Sequence, residues 1–191
     1  MKKIFFTTIL FLSALVSFAQ TNVIDSTSAI SYSEVVKVDS VNKDELYLRA
    51  RNWFKTNFNS SSAVLQIQDQ PNGMLSGNTN FKYKQSFTSG WATTEGLVSF
   101  EINVIVKDGK FKYEIKNFSH KCTNYSTQYQ FDFGIITNQV ICPVEFKMTI
   151  PNWRNRVWND IKTQSDSQAK QMIESLKIGM NTPSGVQKSD W

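Results

Sequence analysis

Val98-Ser99-Phe100-Glu101-Ile102-Asn103-Val104-Ile105-Val106-Lys107-Asp108-Gly109-Lys110-Phe111-Lys112-Tyr113-Glu114-Ile115 decides the fold. Side chains of an extended chain alternate between two faces. Val98, Phe100, Ile102, Val104 and Val106 therefore share one face. Asp108-Gly109 supplies a two-residue turn, in which glycine takes positive φ without strain. Phe111, Tyr113 and Ile115 continue the apolar face on the return strand, with Lys112, Glu114 and Lys116 opposite. The spacing predicts a hairpin with one buried and one wet face, as in an antiparallel sheet.

Further strand patterns lie upstream. Ala63, Leu65 and Ile67 alternate with Val64, Gln66 and Gln68. Asp69-Gln70-Pro71-Asn72-Gly73 is a turn, and a strand follows from Met74 to about Gln85. Gly77 inside that strand marks a bulge. Ser86 to Gly96 is a glycine-punctuated loop around Trp91. Val35, Val36 and Val38 predict a first strand ending near Asp39.

Two helices complete the pattern. Asn42 caps the first, with Asp44 and Glu45 in its opening turn, where the helix dipole favours acids. Leu46, Ala50, Trp53, Phe54 and Phe58 form its apolar stripe. The second runs from about 155 to 178, with Trp158, Ile161, Ala169, Met172, Ile173 and Leu176 as its stripe, weakened by Ser165. Gly179 is read as its stop. Residues 119–151 form an irregular excursion with one or two short strands, Val144, Phe146 and Met148 among the candidates. Residues 179–191 are read as a mobile tail. The order is strand, helix, four strands, helix. It predicts one α+β domain over 34–178, a two-layer sandwich with both helices on one face of an antiparallel sheet.

The N-terminus indicates the compartment. Met1-Lys2-Lys3 precedes an apolar run from Ile4 to Val16, and Ser17-Phe18-Ala19 places small residues before Gln20. This predicts a signal peptide over 1–19, cleaved between Ala19 and Gln20. A flexible, polar leader covers 20–33. The run is too short to span a membrane, which takes about 20 residues. No cysteine follows the cleavage site, so the expected product is exported, soluble and not a lipoprotein. It resides in the periplasm or outside the cell. Charged residues make up 19% of the chain and aromatics 13%, a globular composition. The formal charge of +5 includes Lys2 and Lys3, so the exported chain carries only a mild positive excess. Nucleic acid is not an expected partner. Cys122 and Cys142 form an even pair in an oxidising compartment, so a disulfide is expected, with two separate buried thiols as the alternative.

Asn42-Lys43-Asp44-Glu45-Leu46-Tyr47-Leu48-Arg49-Ala50-Arg51-Asn52-Trp53-Phe54 resembles the opening helix of the DUF4468 family of exported Bacteroidetes proteins. Gly73, Gly77 and Lys107-Asp108-Gly109-Lys110-Phe111-Lys112-Tyr113 extend the resemblance, as does the leader ending Phe18-Ala19-Gln20. It covers about 36–118, with the last helix a looser match and the cysteine-bearing stretch outside the pattern. It implies a TATA-binding-protein-like fold and supplies no activity. A fold name does not imply DNA binding.

His120 is the only histidine, which excludes two-histidine metal motifs and weakens Ser-His or Cys-His mechanisms. It is expected at the surface beside a disulfide. No Walker A loop, GxGxxG, GxSxG or EF-hand loop is present, and no cofactor is expected. Glu101 and Glu114 lie on facing strands, with pairing to Lys112 or Lys116 as their plain role. Lys82, Lys84, Lys112 and Lys116 on the wet face are a candidate basic patch for an acidic glycan, lipid head group or peptide. Trp91 is a second binding candidate. Asp25-Ser26-Thr27 matches a short O-glycosylation acceptor pattern. These features point to a non-enzymatic envelope protein that binds an envelope protein, glycan or peptide. The alternatives are a carboxylate-dependent glycan or peptide hydrolase using Glu101 and Glu114, and an inhibitor of a secreted enzyme. The sequence leaves the oligomeric state open.

Overall fold

The structure is a computed structural model that describes residues 28–58, 64–87, 92–124, 128–147 and 149–185. The anticipated signal segment 1–19, the cleavage site at Ala19 and Gln20, Asp25-Ser26-Thr27 and Trp91 lie outside the described residues. In chain order the elements are β1 (Tyr32–Lys37), α1 (Lys43–Asn57), β2 (Leu65–Asp69), β3 (Met74–Tyr83), β4 (Gly96–Lys107), β5 (Lys110–Cys122), β6 (Gly134–Ile135) and α2 (Pro151–Asn181). The sheet is antiparallel, in the order β1-β5-β4-β3-β2, with β6 also on β5.

The predicted hairpin forms, with Val106 opposite Phe111, Val104 opposite Tyr113 and Ile102 opposite Ile115. All six side chains are buried against the helices. The register then shifts between Ser99 and Glu101. Ser99 faces Ser119 and Glu101 faces Lys116, so β5 carries one extra residue there. Asn117 sits at this bulge with φ of 60°, a conformation asparagine tolerates better than most residues. Beyond it Phe118, His120 and Cys122 turn inward and are buried.

α1 starts as its sequence requires, with the Glu45 N–H donating to the Asn42 side chain at 2.9 Å. The hairpin turn docks on the same end. The Lys43 N–H donates to Asp108 Oδ1 at 2.7 Å, and the Gly109 N–H donates to the Val41 carbonyl. The sequence KDG is therefore both a turn and a second cap for α1.

Several expected boundaries move. Residues 28–33, read as leader, are tied in: Ile30 is buried and bonds Ile136, Ala29 bridges Thr137, and Tyr32 opens β1. Val144 and Phe146 form no strand; Phe146 instead packs on Phe131 and Phe133. Gly77 is not itself the bulge. The shift lies opposite, between Leu65 and Ile67. A Cβ at Gly77 would fall 2.9 Å from the Val64 carbonyl and 3.1 Å from Phe54, so the glycine lets α1 approach.

α2 begins at Pro151, a residue suited to the first helical turn, and runs past Gly179 to Asn181. Ser165 belongs to the buried stripe. Gly179 is therefore not a stop. A Cβ there would meet Trp53 at 2.9 Å, so its absence sets the α1–α2 contact. The tail beyond is partly held. Arg49 donates to the Met180 carbonyl, and Glu45 accepts from the N–H and hydroxyl of Ser184. Among the described residues no helix is long and apolar enough to cross a membrane.

Gly179→Ala tests the close approach. Helix propensity alone favours alanine by about 1 kcal/mol. Overpacking costs about 1–3 kcal/mol and outweighs it. Urea unfolding is expected to show a net loss of about 1 kcal/mol, whereas a gain in stability would remove the packing role.

Candidate functional site

The helices cover one face of the sheet and leave the other open. Two cross-strand rows define the open face. Val35, Lys112, Ile105 and Met74 face one another across β1, β5, β4 and β3. The next row holds Ser33, Glu114, Asn103, Ser76 and Ile67. Between them lies a depression of about 310 Å³, lined by Ile67, Met74, Ile105, Glu101, Glu114 and Lys112 among others. Val35 is 57% exposed and Ile67 is 46% exposed, so apolar surface is open to solvent here.

The polar groups of the depression are oriented. Glu101 accepts from Asn103 Nδ2 at 2.7 Å and from Asn117 Nδ2 at 2.8 Å. The bulge residue thus positions Glu101. Glu114 pairs with Lys116 at 2.8 Å, and that hydrogen bond holds its carboxyl below the usual range. The two carboxylates share the depression, but Glu114 is neutralised by a lysine that also lies opposite Glu101.

The four candidate lysines do not form one patch. Lys82 lies opposite Leu97 and Lys112 opposite Ile105. Those β4 positions are eight residues apart, about 27 Å along an extended strand. Lys84 is 81% exposed and makes a long contact of 3.8 Å with Glu95. Lys121, opposite Leu97 on the other side, joins Lys82 and Lys84 at that end of the sheet. Lys112 and Lys116 belong to the depression region instead.

His120 is not at the surface; it is 1% exposed. The bulge turns it inward, where Tyr83 and Phe133 pack edge-on against its ring. The Phe133 N–H donates to Nδ1 at 3.2 Å, and Nε2 lies 2.9 Å from the Thr94 carbonyl. This pattern requires a neutral ring with its proton on Nε2. The expected disulfide is not formed. Cys122 and Cys142 are free, buried thiols held by separate contacts. The Cys122 N–H donates to Asp132, while the Cys142 thiol turns to the Val144 carbonyl at 3.4 Å. Burial pushes the Cys142 thiol pKa up. Among the described residues no three His, Cys, Asp or Glu side chains converge to hold a metal.

A two-layer α+β sandwich with this topology is a TBP-like fold. Residues 32–121 match the family described as "Domain of unknown function (DUF4468) with TBP-like fold". Solved structures share the fold, two of them as follows. A DUF4468 family protein from Bacteroides ovatus is 11% identical, with a TM-score of 0.56, covering 85% of this chain and 95% of that one. A TBP-like protein from Parabacteroides distasonis is 10% identical, with a TM-score of 0.54, covering 78% and 93%. The shared architecture therefore reaches beyond the matched domain. No curated protein matches the chain.

The buried histidine makes stability depend on pH. Burial holds the folded His120 pKa below its ordinary value of 6.5, so the unfolded chain takes up a proton more readily. This stability is complete above about pH 6.5 and falls as pH drops below it, by up to about 1.4 kcal/mol per unit. Urea unfolding at pH 7.5 and 5.5 should show this loss in the native chain and not in His120→Asn. An equal loss in both chains would contradict it.

Proposed function

We propose that the protein is an exported, soluble binding protein of the cell envelope, without enzymatic activity, that seats its partner on the open face of the sheet. The observation that carries this reading is the depression around Ile105. It places apolar side chains and oriented polar groups together, the usual composition of a ligand site. The leader residues Met1 to Ala19 support export, and the periplasm or the extracellular space is the proposed location.

A hydrolase reading has less support. An acid catalyst needs a carboxyl held protonated near working pH, which requires a raised pKa. Lys116 moves Glu114 the other way.

The export reading predicts that protein recovered from the periplasm or medium begins at Gln20 by N-terminal sequencing; an intact Met1 terminus would refute it. For the binding reading, purified protein is expected to bind an envelope fraction saturably. Ile105→Lys should weaken that binding about tenfold or more by placing a charge on the apolar floor. Absent saturation, or equal binding by both chains, would count against the open face.

A further inference from the structure

We infer that the depression takes a short peptide with free termini, its ammonium on Glu101, its carboxylate on Lys112 and an apolar side chain on Ile105, Met74 and Ile67. This rests on the proposed reading of the open face as a binding surface.

The charges of the depression are not all satisfied internally. Glu114 is committed to Lys116. Glu101 accepts from the amides of Asn103 and Asn117, which orient its oxygens without cancelling their charge, while Lys116 opposite it is bonded to Glu114. Among the described residues neither Glu101 nor Lys112 has an ion-pair partner within 4.0 Å. One anion and one cation therefore flank an apolar floor. Lys112 sits opposite Ile105, and Glu101 lies four residues away along β4. The backbone separation is about 14 Å at ~3.4 Å per residue. Glutamate and lysine side chains can lean along the strand, so a peptide of two or three extended residues, about 7–10 Å long, can meet both charges. The volume of about 310 Å³ agrees. It is at the low end for ligand sites, so it fits a few residues and not a folded partner. A neutral glycan would leave both charges unanswered, while a zwitterionic peptide matches each of them.

The test is calorimetric titration of the full chain with alanyl-leucyl-alanine, in free, N-acetylated and C-amidated forms. The free tripeptide should bind saturably. Acetylation should weaken binding about tenfold in the native chain and little in Glu101→Gln, because one charge-assisted contact is removed only once. Amidation should do the same with Lys112→Gln. Ile105→Lys should abolish binding of all forms. No saturable binding of the free tripeptide, or equal binding of free and capped forms, overturns the inference. If that happens while Ile105→Lys still weakens binding to the envelope fraction, the ligand class is wrong and the binding face stands. If both fail, both readings fall.

Discussion

One extra residue in β5 governs the second half of this molecule. Without the bulge at Asn117, strict alternation would turn Phe118, His120 and Cys122 to solvent. With it, Phe118 stacks on Phe100 at 4.9 Å, and His120 enters the core. The excursion then has a surface to fold against. Phe133 packs on His120 and donates to it, Ile136 bonds Phe118, and β6 pairs with Ser119 and His120. The same bulge acts on the opposite face, where the Asn117 amide fixes Glu101. Core and candidate site are thus set by one backbone irregularity.

The inner layer is closed by α2, and polar contacts fix where it lies. Tyr83 donates to Asp160 at 2.9 Å, and Tyr32 donates to Asp166 at 3.0 Å. Glu34 accepts from Tyr113 and pairs with Lys177 at 2.9 Å. Burial is the chief cause that raises the pKa of each of these tyrosine hydroxyls, so all three stay protonated and donate. Apolar burial alone is non-directional and would allow the helix to slide. Three bonds spaced along α2, from residue 160 to residue 177, fix its register on β1 and β3. This leaves the other face of the sheet uncovered.

The hairpin, α1 and the layer arrangement were legible because period-two and helical stripes report burial directly. What escaped was a change of phase. The apolar residues Phe118 and Cys122 fall out of step with Phe111, Tyr113 and Ile115, and that offset is the trace a bulge leaves in a sequence. Reading it would have placed His120 inside. Gly179 is ambiguous in the sequence for a related reason. A glycine near a helix end has two meanings, a stop or a close approach, and only the position of Trp53 separates them. The basic patch failed because strand membership fixes a face but not the position along it. Lys82 and Lys112 share a face yet lie at opposite ends. The depression needs residues from four strands in register, which no local pattern reveals.

The chemistry of the open face follows from Lys116. Placed beside Glu114 and opposite Glu101, it lowers one carboxyl and faces the other. A pair of acids built for bond cleavage needs pKa values driven apart, one of them upward. A lysine between them works against that. It also cancels one of the two negative charges, so the depression is left with one anion, one cation and an apolar floor. Such a site gains little from a ligand of single charge, because attraction at one side is offset by the charge at the other. It selects a ligand that brings both charges at the right separation, and that selectivity is useful to a binding protein.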